Sequence, residues 1–309
     1  MELFLFVQNV PKKITQFFVF IFFFALLLYA SSQRHWKYTR FDYQAQLFSD
    51  KAGYHVYLPA LFYYSFDAGK MPLKIDSLTG NGFVLKDNRI ITKYPLGVAI
   101  FQLPFFSFAA IVDWIFQDQS PYGYTDRQHR AIDIGTAFYM ALAMALLFTT
   151  FSLSYNHSSL KIVLSLLLIL FASNLFYYSS RDAGMSHAYS FFCYSAMVFW
   201  LHRIKRQQNS YNLPVLACLI ILAFFVRPIN MLFILPCLAF YARYLKINFL
   251  QSVKQLFRNQ IFWPLLSYLM LLSAQLAYNY YAFNKLTLDG YQDEGFYNLF
   301  QMDFKLLFF

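Results

Sequence analysis

Residues Ile14–Ala30 read ITQFFVFIFFFALLLYA, an uncharged run dominated by phenylalanine and leucine. It is long enough to cross a hydrocarbon core, and Lys12 and Lys13 in front of it hold the N-terminal side in the cytoplasm. A signal peptide would carry the same flank, but no small-residue cleavage site follows, so the run is expected to stay as an anchor. The rest of the chain has the same character. It has 309 residues, 59% hydrophobic and 22% aromatic with 13% charged, which is too apolar for an ordinary soluble domain. The expected fold class is all-α, a polytopic transmembrane helical bundle forming a single domain over 1–309. The net charge of +10 is carried by Lys and Arg beside the apolar runs, where anionic headgroups and the positive-inside bias explain it, so nucleic acid is discounted as a partner. Cys193, Cys218 and Cys237 fall inside predicted spans without metal-ligand spacing and read as apolar packing.

Working outward, Ser31 to Thr92 contains no spanning segment. It mixes aromatics, scattered charge and the turn signals Thr79-Gly80-Asn81-Gly82 and Lys86-Asp87-Asn88. Residues 31–93 are therefore expected to form a large structured external loop, and a loop of that length is usually functional. Further apolar segments follow at Tyr94 to Phe116 (interrupted by Pro104), Ala131 to Tyr155, Leu160 to Tyr178, His187 to His202, Leu213 to Val226, Asn230 to Leu245 and Ile261 to Phe283. With the first run, that makes about seven to eight hydrophobic segments.

The basic patch His202-Arg203-Ile204-Lys205-Arg206, and the stretch holding Arg243, Lys246, Lys254 and Arg258, read as cytoplasmic. This puts Arg181-Asp182, Arg227-Pro228 and Asp289 to Glu294 outside. Counting from the N-terminus instead puts Asp182 inside if 94–116 crosses fully. Either that segment is re-entrant or interfacial, or one helix is hidden in the first loop. No internal repeat is present, which weakens a transporter reading. Ten glycines are few for close small-residue packing, so a looser bundle with lipid-filled grooves is expected.

One polar cluster stands out, Ser49-Asp50-Lys51-Ala52-Gly53-Tyr54-His55-Val56-Tyr57-Leu58-Pro59-Ala60, combining a carboxylate, a cation, an imidazole and two phenols. Tyr54, Tyr57, Leu58 and Leu61 recur at helical spacing, which predicts a juxtamembrane helix entered or kinked at Pro59. Near the membrane surface, partial desolvation raises a carboxylate's proton affinity, a useful setting for a base. The plainer reading is an aromatic interface belt with a solvated Asp-Lys pair.

Together with Thr92-Lys93-Tyr94-Pro95-Leu96-Gly97, Asp182-Ala183-Gly184-Met185-Ser186-His187 and Arg227-Pro228, this cluster resembles the GT-C class of integral-membrane glycosyltransferases. The nearer relatives are the protein O-mannosyltransferases and the lipid A aminoarabinose transferases. The resemblance covers almost the whole chain, in order. It implies transfer of a sugar from a polyprenyl-phosphate to an acceptor hydroxyl, with inversion, at a site beside the first external loop of a bacterial cytoplasmic membrane protein. It also implies Asp50 as general base followed by Tyr54, with Asp42 a second candidate. Relatives commonly have Asp-Glu where this chain has Asp50-Lys51, so a second acid is missing. Asp182 corresponds to an acid of the second external loop that orients the acceptor or the base.

The residue types fit that chemistry. A positioned carboxylate activates a hydroxyl by accepting its proton, for about 10²–10⁴-fold in rate. A departing lipid phosphate needs fixed cations, for which Lys93 and Arg227 stand at the outer ends of spans, with His187 a further contact to phosphate or acceptor. Snorkelling anchors are the plainer reading of both cations. No cofactor is implied beyond the lipid-phosphate sugar itself, no metal-ligand spacing is present, and the acceptor is a glycan, lipid or protein. Asp293 and Glu294 are external and line the site or are simply solvated. Since relatives usually continue through further helices, the chain is expected to be truncated at its C-terminal side. The competing readings are a transporter or flippase of a lipid-linked glycan and an inactive fragment of a transferase.

Overall fold

A computed structural model describes residues 12–117, 121–154, 158–207, 212–237, 262–288 and 290–291. Asp293, Glu294, Arg243, Lys246, Lys254 and Arg258 lie outside the described residues. The described chain is all-α apart from one small hairpin. Three helices are long and apolar enough to cross a membrane, spanning Ile14–His35, Gly97–Ile115 and Asp126–Ser154, and shorter apolar helices cover Ser159–Phe171, Leu213–Val226 and Pro228–Cys237.

Helix α1 (Lys12–His35) turns one stripe inward. Val19, Phe23, Leu27, Ser31 and His35 recur every fourth residue and are all buried, while Phe17, Phe18, Phe22 and Tyr29 on the other faces are exposed. The apolar part of the stripe packs on Ala137, Met140, Ala141 and Met144 of the long helix Asp126–Ser154. Small residues line this contact, with Ala137, Ala141 and Ala143 fully buried.

The polar end of the stripe is anchored. Asp133, fully buried, accepts from Ser31 Oγ at 2.5 Å, His35 Nδ1 at 2.6 Å, Trp36 Nε1 at 3.0 Å and Gln46 Nε2 at 2.8 Å. A buried carboxylate is costly unless its lone pairs are filled, and here four donors from α1 and the following loop fill them.

The loop between α1 and Gly97 has its own core of Leu47, Ala52, Val56, Ile75, Phe83 and Ile90. Its helices are short: α2 (Asp50–His55), α3 (Tyr57–Phe62) and α4 (Ile75–Leu78). The predicted juxtamembrane helix is thus two helices that break at Val56, three residues before Pro59. Pro59 sits in the first turn of α3, where its missing N–H has no intrahelical partner to lose. Strands β1 (Val84–Lys86) and β2 (Arg89–Ile91) pair antiparallel across Asp87-Asn88, both at positive φ, as a two-residue hairpin turn requires.

Helix α5 (Gly97–Ile115) is followed by α6 (Asp126–Ser154), α7 (Ser159–Phe171), a π turn (Tyr177–Arg181), α8 (Ser186–Gln207), α9 (Asn212–Val226) and α10 (Phe262–Phe283). Helices α6 and α8 run in the same direction, with Thr136 3.2 Å from Tyr189 near their starts and Ser154 3.2 Å from His202 near the end of α6. Both ends of α5 meet the end of the bundle that carries the loop. Gly97 lies against the Phe225–Val226 backbone at the end of α9, and Asp113 accepts from Thr125 at 2.6 Å and Arg127 at 3.0 Å at the start of α6. The middle of α5 stays there too, with Phe101 stacked on Tyr189 and Gln102 against His55.

Helix α10 closes the loop from the side. Tyr281 Oη accepts from Ile90 N, Tyr278 Oη from Thr92 N, and Gln275 Oε1 from Leu96 N, at 2.8, 2.7 and 2.9 Å. Side chains therefore satisfy the outer edge of β2, which would otherwise be an unpaired strand edge.

Candidate active site

Asp50 opens α2 from an unusual backbone. Ser49, at φ 55 and ψ −132, donates its N–H to Thr79 O at 2.7 Å. Such a conformation costs energy and persists only when its surroundings fix it. The fixing contacts are glycine against backbone: a Cβ on Gly82 would lie 1.9 Å from Ser49 O, and one on Gly53 would lie 2.2 Å from Gly82 O and 2.4 Å from the Tyr94 ring. Two glycines thus press α2 against the turn 79–82 and leave room for Tyr94.

Asp50 is half-buried and its charge acts on the Tyr94 phenol. Burial, followed by the neighbouring Asp50 carboxylate, pushes the Tyr94 hydroxyl well above the usual phenol range, so it stays protonated. The Tyr94 ring lies 4.3 Å from the Tyr54 ring. Tyr54 is itself pushed up to about 12, chiefly by burial, and donates to Ser186 Oγ at 3.1 Å. That bond joins α2 to the first residue of α8.

Near Ser186 lie two polar pairs, Asp182 with Lys51 and Arg227 with His187. Asp182 follows the π turn, its N–H bonded to Tyr177 O at 2.8 Å. Its carboxylate meets Lys51 Nζ at 3.0 Å, and the same ammonium donates to Ala45 O at 3.0 Å. The sequence offers Arg181 as the neighbouring partner of Asp182, whereas the structure pairs it with Lys51 from the loop. Gly184, at φ +97, seats this turn on α6 by donating to Thr136 Oγ1 at 3.0 Å. On the other side, Arg227 Nη1 is 3.1 Å from His187 Nδ1, and the imidazole stacks on Tyr178 with centroids 3.9 Å apart. Asn230 braces this corner by donating to Ser190 Oγ and Ala223 O, both at 2.9 Å, and accepting from Tyr194 at 2.6 Å.

A cleft of about 700 Å³ opens from Arg227 and His187, walled by Leu175, Phe191, Ile229 and Phe233. It is cationic at one end and apolar along its length. No protein family, curated protein or solved structure matches this chain.

Five of the seven residues singled out in the sequence, Asp50, Tyr54, Asp182, His187 and Arg227, come together in this chain of contacts. Lys93 stands at its edge, its ammonium 5.7 Å from the Tyr94 ring centroid and 5.3 Å from that of Tyr291. Asp42 is used elsewhere, accepting from Gln44 N–H at 2.9 Å in a local turn. Sequence reading missed Tyr94 as the partner of Asp50. The signal was present, since a tyrosine stands where the resembled motif has a proline, but only the fold brings residues 50 and 94 together. Among the described residues, no three His, Cys, Asp or Glu side chains form a group that could hold a metal ion.

Proposed function

We propose that this protein is a membrane glycosyltransferase that moves a sugar from a polyprenyl-phosphate donor to an acceptor hydroxyl. The observation that supports the reading is a half-buried carboxylate joined by a run of contacts to a largely apolar cleft with Arg227 and His187 in its wall. Asp50 and the Arg227–His187 pair are linked through Tyr54 and Ser186, and the cleft beyond Arg227 is apolar. In the reaction, the acceptor oxygen attacks the anomeric carbon as its proton passes to the Asp50 carboxylate. The bond from that carbon to the phosphate oxygen breaks, and its electron pair leaves with the lipid phosphate. Arg227 offers a planar fork to the charge growing on that phosphate, and His187 lines the same corner. Tyr94, kept protonated beside Asp50, is the donor that would orient that carboxylate. Asp182, held by Lys51, fixes the second loop against the first.

The membrane arrangement belongs to the same proposal. In it α1, α6, α7, α8, α9 and α10 cross, and α5, although long and apolar enough to cross, stays with the loop-bearing layer that both its ends contact. With α5 not counted as a crossing, the count from Lys12 and Lys13 agrees with the cytoplasmic placement of Arg203 at the far end of α8. The site then faces outward from a bacterial cytoplasmic membrane, where the lipid-linked donor presents its sugar.

Purified protein in lipid nanodiscs, supplied with a panel of polyprenyl-phosphate hexoses and pentoses, tests the reading. Asp50→Asn should retain donor binding and lose at least about 10²-fold in transfer. Asp42→Asn, outside the cluster, should transfer at close to the wild-type rate. Transfer by Asp50→Asn at the wild-type rate would remove the base and the reading with it.

A further inference from the structure

We infer that Lys51 is a positioning residue that partitions charge within the site: by binding Asp182 it keeps that carboxylate away from Arg227 and leaves Arg227 and His187 to an anion. The inference rests on the assignment of Arg227 and His187 to the lipid phosphate.

The cluster holds three cationic or imidazole groups and two carboxylates within one run of contacts, so how the charges pair decides what the site can bind. A carboxylate free to reach Arg227 would satisfy the guanidinium and oppose any phosphate. Asp182 is the carboxylate in a position to do so. It lies five residues before His187, and His187 feels both the Arg227 and the Asp182 charge. What draws Asp182 the other way is Lys51, whose side chain is 6% exposed and whose ammonium makes two contacts at 3.0 Å, to Asp182 Oδ1 and Ala45 O.

A lysine buried to this degree is costly without a partner. It starts from the α2 backbone, and its ammonium ends between Asp182 Oδ1 and Ala45 O, out of reach of most solvent. The ion pair is therefore built into the packing rather than formed by two mobile surface chains. Its effect is to turn a cluster that would neutralise itself into one with a neutral half, Lys51–Asp182, and a cationic half, Arg227–His187.

Binding of farnesyl phosphate to the full chain in detergent micelles, with farnesol as the uncharged control, tests this. Lys51→Met frees Asp182 and should weaken farnesyl phosphate binding about tenfold, the scale expected for one uncompensated charge in a partly buried site. Asp182→Asn should bind no more weakly than wild type, and the double variant Lys51→Met/Asp182→Asn should return to within about threefold of it. Farnesol binding should not respond to any of the three.

Equal weakening in both single variants with no recovery in the double variant would overturn the inference and reduce the pair to a structural tie. A Lys51 effect on farnesol would do the same. If Lys51→Met does not fold, the double variant still decides, because it removes the cation and its partner together, and loss of farnesyl phosphate binding there contradicts charge partition. Arg227→Ala separates the two levels. Unchanged binding in that variant sinks the phosphate assignment itself, whereas loss of binding there with an unaffected Lys51→Met sinks only the role of Lys51.

Discussion

Gly82→Ala is the sharpest test of how the site is held. The new methyl would lie 1.9 Å from Ser49 O, 2.7 Å from Ser49 C and 2.8 Å from Gly53 N, where real Cβ contacts do not come closer than 3.0 Å. All three atoms are backbone, so relief requires α2 or the turn 79–82 to move by about 1 Å rather than a side chain to rotate. The movement falls on the residue before Asp50. Overpacking of this kind costs about 1–3 kcal/mol of stability, and a displacement of about 1 Å at a catalytic group costs about 10²-fold in turnover. Thermal unfolding and transfer rate, measured on the same preparation, report both. Gly69→Ala is the matched control, since its methyl would meet the side-chain oxygens of Asn88 and Asp67 at 3.1 and 3.2 Å, which can rotate away. A folded Gly82→Ala protein with wild-type turnover would refute the claim that this glycine contact positions Asp50.

His55 supplies a pH prediction: it is fully buried, donates to Gly123 O at 2.9 Å, and burial lowers its pKa from 6.5 to about 4. The unfolded chain takes up the proton first, so stability from this residue is complete above about pH 6.5 and is lost as pH falls toward 4, by at most about 3 kcal/mol; unfolding midpoints of His55→Gln should be flatter across that window. Arg227→Lys should still lose transfer and donor affinity, because a point charge does not reproduce the planar fork; a variant with unchanged donor affinity would show that charge alone suffices. Single cysteines at the exposed positions Ser77 and Lys285 should react with an impermeant maleimide from outside the cell, and one at Gln207 should not; labelling at Gln207 in intact cells would reverse the orientation.

Much of this architecture can be read from the chain, because apolar length and composition are local properties. The α1 run, the hairpin turn at Asp87-Asn88 and the polar stretch from Asp50 to Tyr54 all announce themselves that way. What escaped reading are the relations between distant segments. The Tyr94 to Phe116 text is apolar enough to cross, and only the fold shows that its two ends meet Val226 and Arg127. Lys51 looks like a lost acid until Asp182 is brought beside it. Asp42 sits in the right neighbourhood of sequence but spends its carboxylate on Gln44 two residues away. The contrast with Asp50 lies in what surrounds each, a turn in one case and a buried phenol in the other.

The four donors gathered on Asp133 also fix an order of events in biosynthesis. Ser31 and His35 leave the ribosome about a hundred residues ahead of the carboxylate they bind, an interval on the order of ten seconds at ordinary elongation rates. During that interval the C-terminal end of α1, Trp36 and Gln46 have no anion to hold them, and the loop cannot take its final shape. Formation of α6 is therefore the step that fastens the first helix and the loop together. In an Asp133→Asn chain the helices should still form, yet the nascent loop should stay open to protease well after α6 has emerged.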